Sequence, residues 1–201
     1  MMTITYPVKN GIYVNMTNRC PCACTFCLRR NGDGIFGSDP LWLDREPTVQ
    51  EVCESIDGWD FTKYEELVFC GYGEPTERLD DLLAVAKYVK EKYDVKIRIN
   101  TNGLADLIWK EKTAHKLEGL IDTVSISLNA TNRETYYNLV RPKFGMDSYD
   151  AMLAFTKDCV AYVPKVVMTV VDVVTTPEEQ ERCREICASV GAKLRVRPFE
   201  S

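Results

Sequence analysis

Four thiols crowd into one short run, Asn18-Arg19-Cys20-Pro21-Cys22-Ala23-Cys24-Thr25-Phe26-Cys27. Soft thiolates at such close spacing favour zinc or an iron-sulfur cluster. A structural zinc site closes on four ligands, yet no second C-x-x-C pair follows and the single histidine, His115, is far away in sequence. A cubane cluster usually takes four cysteines. The C-x-x-x-C-x-x-C spacing of Cys20, Cys24 and Cys27 supplies three, which would leave one iron open to a small molecule. By the same logic, an open position separates catalytic from structural zinc. Cys22 either replaces Cys20 or Cys24 in a different triad or is a small residue in a tight, proline-containing loop.

Other residues with chemical potential also fall where strands end. Gly71-Tyr72-Gly73-Glu74-Pro75 is either a plain strand-to-helix turn or a loop whose glycines admit a close backbone approach. Asn100-Thr101-Asn102-Gly103 is a turn signal or a pocket lining. Ser125, Ser127 and Asn129 share one strand face by period two, opposite Val124, Ile126 and Leu128. A polar row of this kind suits the inside of a barrel that holds a polar ligand. Arg141 is either a solvated helix end or a ligand contact, and Asp172 a polar contact or an exposed strand end. Arg195 and Arg197 alternate on the last strand; they meet an anionic substrate or are solvated. Cys53, Cys159, Cys183 and Cys187 lie on apolar helix stripes, where free cysteine acts as a small hydrophobe. The i, i+4 pair Cys183/Cys187 lacks a third metal partner nearby. Cys70 precedes the glycine loop, and His115 reads as a helix residue rather than a catalyst.

The elements that must hold these residues alternate between strand and helix. Strands are expected at 11–15, 66–70, 95–100, 123–128, 165–173 and 193–198. Helices are expected at 48–56, 79–93, 104–117, 132–140, 148–160 and from Thr176 to about Val190. Thr48/Glu51 and Thr176/Glu179 have the spacing of capping boxes. Leu79, Leu82, Leu83, Ala86 and Val89 form one stripe, with Asp80 and Asp81 at the helix start and Lys87, Lys90 and Lys92 near its end. Six strands with helical crossovers imply a parallel α/β sheet. Six units are too few for a full eight-unit barrel, so the sheet is open or the barrel incomplete, with its site at the carboxyl ends of the strands.

Composition bounds the rest. The chain has 201 residues, 45% of them apolar and 27% charged, with a formal net charge of -5. That is ordinary for a soluble globular protein and argues against electrostatic binding of double-stranded DNA. One histidine excludes a multi-histidine metal site. The first ten residues lack an apolar leader core, and no run reaches the roughly 18 apolar residues of a membrane span. A cytoplasmic location with reduced thiols is expected.

The cysteine triad with Phe26 just before its last member, followed in order by the glycine-glutamate loop, Thr101-Asn102-Gly103 and the Ser127/Asn129 row, resembles the radical S-adenosylmethionine (radical SAM) superfamily. The resemblance implies an incomplete (β/α)6 TIM-like barrel over residues 1–201, one core domain without a C-terminal auxiliary-cluster domain. It implies a [4Fe-4S] cluster on Cys20, Cys24 and Cys27. The fourth iron would chelate S-adenosylmethionine, whose reductive cleavage gives a 5'-deoxyadenosyl radical that abstracts hydrogen from a substrate. Phe26, Gly71, Tyr72, Gly73, Glu74, Asn102, Ser127, Asn129 and Arg141 would contact the cofactor, with Glu74 toward the methionyl ammonium, Ser127 and Asn129 toward the ribose, and Arg141 toward the carboxylate. Partners implied are an electron donor such as flavodoxin or ferredoxin and a substrate that is a small molecule, a protein loop or RNA, with no membrane. The Asn18–Pro21 opening and the Gly71–Thr76 loop are most similar to the small TatD-associated members. An activase that installs a glycyl radical on a partner protein, and a non-catalytic iron-sulfur or zinc module, are the other readings.

Overall fold

A computed structural model describes residues 2–30 and 37–199. Its centre is one seven-stranded sheet in strictly sequential order, β1 to β7. Strands β2 (Gly11–Val14), β3 (Glu66–Phe69), β4 (Lys96–Thr101), β5 (Thr123–Ser127), β6 (Lys165–Val171) and β7 (Lys193–Arg197) run parallel. These are the six strands expected. The seventh, β1 (Thr5–Val8), is an addition: it pairs antiparallel with β2 through a tight hairpin whose Lys9 takes a left-handed φ of 54°. The sheet is not closed, because β1 and β7 form its two edges.

Helices α1 (Val49–Asp57), α2 (Leu79–Lys92), α3 (Ala105–Trp109), α4 (Arg133–Val140), α5 (Ser148–Tyr162) and α6 (Pro177–Ser189) lie between the strands. Thr48 with Glu51 and Thr176 with Glu179 form both expected capping boxes. Two details differ from the sequence reading. Val85 takes the place of Leu83 on the buried face of α2, where Leu83 is only half-buried. The helix expected over 104–117 breaks at Lys110, whose φ is 57°, and resumes as a 3-10 turn at Ala114–Leu117. Asp106 accepts from both the N–H and the hydroxyl of Thr113, at 2.9 and 2.8 Å, and so holds that break.

Strand register sorts side chains onto two faces. One face carries Leu67, Phe69, Ile97, Ile99, Val124, Ile126, Met168 and Val170. All are packed in one core with Val52, Ile56, Leu82, Val85, Val89, Met152 and Phe155 of the helices. Full burial of each such aliphatic side chain contributes about 1.5–3 kcal/mol, so this face holds the sheet to its helices. The other face carries Tyr13, Glu66, Arg98, Asn100, Ser125, Ser127, Thr169, Arg195 and Arg197. It is the polar concave face that the period-two serine row implied. Among the described residues, no helix is long and apolar enough to cross a membrane.

Candidate active site

The loop that leaves β2 carries the four clustered cysteines and is anchored on two sides. On one side it docks on the end of α4. Ala23 N–H donates to Val140 O at 3.1 Å, Thr25 N–H to Leu139 O at 2.9 Å, and Lys143 N–H to Pro21 O at 2.8 Å. Cys22 and Pro142 form a β-bridge there. On the other side the base of the loop meets the glycine loop after β3. Glu74 N–H donates to Arg19 O at 2.8 Å. A Cβ on Gly71 would lie 2.1 Å from Asn15 Oδ1, and one on Gly73 2.2 Å from Thr17 O. Only glycine permits this approach, so the glycines set the seat of the cysteine loop.

Cys20, Cys24 and Cys27 are half-buried, whereas Cys22 is buried. Burial pushes the Cys24 thiol up to about 12, and neighbouring Cys20 and Cys27 add to the rise. A hydrogen bond from the Cys22 thiol holds Cys20 below the ordinary thiol value. The four thiols therefore form one electrostatically linked group, with Cys22 the most buried of them. Among the described residues, no three of His, Cys, Asp and Glu converge on a point where they could chelate a single ion. A cubane asks for something else, since its thiolates each take a separate iron.

Two buried polar atoms without partners stand out, one of them beside the thiols and one just past the end of β5. The Tyr136 side chain is 1% exposed, and its hydroxyl has no hydrogen-bond partner. Burial raises its pKa most, followed by Cys22, Cys24, Glu74 and Cys20, which places the phenol beside the thiols. Asn129 is 2% exposed with Oδ1 unpartnered, on a left-handed backbone with φ 56°. Buried polar atoms are nearly always satisfied. Three thiols, a glycine-lined loop and two orphaned polar atoms fit a cluster with a polar organic ligand.

The predicted residues occupy distinct positions at the strand ends and in the loops that follow them. Glu74 is buried, and its carboxylate is committed inward. Oε1 accepts from Thr76 N–H at 3.1 Å, Thr76 Oγ1 at 2.7 Å and Thr101 Oγ1 at 2.7 Å, and Oε2 accepts from Asn102 N–H at 2.7 Å. Burial pushes its pKa up, against these four donors. It ties the loop after β3 to the loop after β4. Asn102 closes the turn after β4 and touches the cysteine loop: Oδ1 accepts from Leu104 N–H at 2.9 Å, and Nδ2 reaches Cys22 Sγ at 3.7 Å. Ser127 is half-buried at the end of β5. Arg141 is exposed in a left-handed conformation with φ 49°, where α4 meets the cysteine loop. Phe26 is half-buried within that loop. Tyr72 packs away from the thiols, with Tyr6, Val8 and Leu41 in a separate apolar cluster and its ring edge-on to Trp42 at 5.0 Å. Asp172 is exposed and accepts from Phe199 N–H at 2.9 Å, so it acts as a chain-end clasp.

Sequence reasoning missed Arg78. Its guanidinium is buried and donates to Met16 O at 2.9 Å, Pro47 O at 2.7 Å and Asp81 Oδ2 at 2.7 Å, tying the root of the cysteine loop to α2. Nothing in the local pattern distinguishes it from a solvated helix-start arginine.

The Glu74 clasp gives a direct expectation. Glu74→Gln keeps shape but sets an amide N–H₂ against either Asn102 N–H or the Thr76/Thr101 donors. Loss of charge-assisted bonds with a buried mismatch costs about 2–3 kcal/mol. Urea unfolding should show the midpoint falling with an unchanged slope; an unshifted midpoint would mean the clasp carries no stability.

The family model of the radical SAM superfamily matches residues 14–187. The chain is 30% identical over 128 residues to a putative glycyl-radical enzyme activating enzyme of Methanocaldococcus jannaschii, an alignment covering 64% of this chain and 47% of that protein. It is 28% identical over 198 residues to a GTP 3',8-cyclase of Corynebacterium glutamicum, covering 94% and 48%. The chain thus spans about half the length of these curated relatives. Among solved structures, a radical SAM methyltransferase from Sphaerobacter thermophilus superposes with a TM-score of 0.67 at 19% identity, covering 96% of this chain and 56% of that one. Streptococcus suis SuiB bound to S-adenosylmethionine gives 0.67 at 15% identity, covering 94% and 40%. Those likenesses share the open, helix-backed sheet described above. With a family match running from the end of β2 into α6, the chain belongs to the radical SAM superfamily.

Proposed function

We propose that this chain is the catalytic core of a radical SAM enzyme acting on a substrate not yet identified. The observation that carries the proposal is the seat of the cysteine loop. Three half-buried thiols stand at the carboxyl end of β2, fixed against a glycine loop at the end of β3. Cys20, Cys24 and Cys27 would hold the iron. When bound, the reduced cluster and S-adenosylmethionine supply a 5'-deoxyadenosyl radical that abstracts hydrogen from substrate.

The chain's own residues position and exclude. Gly71 and Gly73 let the loop after β3 close onto Asn15, Thr17 and Arg19, which fixes the cysteine loop beside it. Glu74 keeps that loop in register with Asn102 rather than offering a free carboxylate, so an ammonium group would meet backbone carbonyls there. Ser127 and Asn129 present a hydroxyl and an unpartnered amide oxygen to a ribose. Arg141 offers a cation to a carboxylate beside the cysteine loop. The apolar face backing the strands keeps water from the far side. The narrower likeness to TatD-associated members belongs to this reading.

The test is anaerobic reconstitution with iron, sulfide and a low-potential reductant, followed by addition of S-adenosylmethionine. About four irons and four sulfides per chain and slow formation of 5'-deoxyadenosine are expected. Bound zinc, or a cluster that leaves S-adenosylmethionine intact, would sink the proposal. A second reading, as a glycyl-radical activase, draws on the relative from Methanocaldococcus jannaschii. It predicts a glycyl-radical signal by electron paramagnetic resonance when a glycyl-radical partner is added to the loaded protein.

A further inference from the structure

The concave face of the sheet has a charge asymmetry that the cofactor reading leaves unexplained. On β4, Arg98 is fully answered. Its guanidinium donates to Glu66 Oε2 at 3.0 Å and Oε1 at 2.6 Å, to Asn100 Oδ1 at 3.0 Å and to the Tyr13 hydroxyl at 3.2 Å. On β7, the register places Arg195 beside Thr169 and Arg197 beside Val171. Arg195 and Arg197 therefore share the face of Ser127 and Thr169.

Among the described residues, no acid is paired with these two arginines. The inward positions of β5, β6 and β7 read Thr123, Ser125 and Ser127; Lys165, Val167, Thr169 and Val171; Lys193, Arg195 and Arg197. None is acidic. Arg197 is half-buried, and its Nε is sealed from solvent with no hydrogen-bond partner. Across the sheet it senses Cys70 of the β3 end, as does Arg98. Burial pushes that thiol up, so Cys70 supplies no counter-charge. Glu66 is committed to Arg98, and Glu74 lies in its clasp of four donors. A guanidinium with a buried, unused N–H and no acid partner is costly to fold unless an anion completes it. Its planar fork suits a carboxylate or a phosphate.

We propose that Arg197, with Arg195, forms an oxyanion-binding subsite on the concave face, and that the substrate carries a carboxylate or phosphate group held there. The inference names the substrate class of the site proposed above and rests on that reading only for the word substrate. The subsite itself is a property of β7. Thr169 stands between Ser127 and Arg195 in register, so the anion would anchor two strands away from the serine row.

Calorimetric titration tests it on the full chain, purified anaerobically, with sodium phosphate and sodium acetate at constant ionic strength and iron measured in parallel. Saturable binding of at least one anion is expected, and their ratio separates phosphate from carboxylate. Arg197→Gln should weaken it about tenfold, the loss of one charge-assisted pair. Arg184→Gln, an exposed α6 cation paired with Glu181, should leave it unchanged. If Arg197→Gln fails to fold, Arg195→Gln, at an exposed side chain, should weaken binding severalfold. No saturable binding, or equal affinity in the arginine variants, overturns the subsite. Neither result depends on the iron content, so failure of the cluster reading and failure of the anion reading appear separately.

Discussion

Cys24→Ala is expected to abolish both iron loading and 5'-deoxyadenosine formation, while Cys22→Ala keeps most of each. The two thiols are neighbours in sequence but differ in setting. Cys24 is half-buried and feels Cys20 and Cys27 electrostatically. Cys22 is 5% exposed, and its sulfur takes the Asn102 amide at 3.7 Å. Its backbone is locked by the bridge to Pro142 and by Arg29 Nη2 donating to its carbonyl at 3.3 Å. Removing the Cys22 sulfur deletes its weak hydrogen bonds with Cys20 and Asn102 and a small buried volume, worth about 1–2 kcal/mol. The loop would remain seated, because backbone bonds and the glycine approach hold it. Removing Cys24 deletes one of three ligands, and a cluster held at two corners is lost in reconstitution. Iron and sulfide analysis with the absorbance of the charge-transfer band reads both variants. Loss of the cluster in Cys22→Ala, with retention in Cys24→Ala, would reassign the triad.

Much of this arrangement was legible in the sequence because local and global signals agree. The capping boxes at Thr48 and Thr176 depend on residues three apart and form as read. The period-two serine row correctly marked the concave polar face, since register converts alternation into sidedness. Features decided by distant partners were harder to read. Strand β1 spans only four residues, contains Pro7, and exists through its pairing with β2. Tyr72 lies in the expected loop, but its ring follows the apolar cluster that β1 brings over the sheet. Asp172 is held by Phe199, 27 residues on. Arg78 gains its role from two carbonyls, of Met16 and Pro47, that no local pattern announces. Glu74, expected at a ligand, has its carboxylate on donors from its own loop and from the next strand end, which ties the loops after β3 and β4 into one rigid unit.

That rigid unit makes Gly73→Ala a strongly damaging single methyl group. The added Cβ would fall 2.2 Å from Thr17 O, 2.7 Å from Thr17 C and 2.7 Å from Arg19 O. All three are backbone atoms, so no side-chain rotation relieves the overlap. Either the glycine loop or the root of the cysteine loop must move, and the Glu74 N–H bond to Arg19 O stretches with it. Arg78 resists the shift through Met16 O and Pro47 O, and Glu74 resists it through Asn102 and Thr101. Overpacking against fixed backbone with a lost hydrogen bond costs about 3 kcal/mol, which lowers the melting temperature of a chain this long by ~6–12 °C. Iron loading should fall as well, because the seat of Cys20 is displaced. Gly58→Ala is the control: φ is -71° and the nearest atom to its Cβ is Ser55 O at 3.4 Å, so its effect stays within about 1 kcal/mol. Paired thermal melts and iron analyses decide the matter. A Gly73→Ala protein that melts with wild type and loads iron normally would show that the two loops do not touch as described.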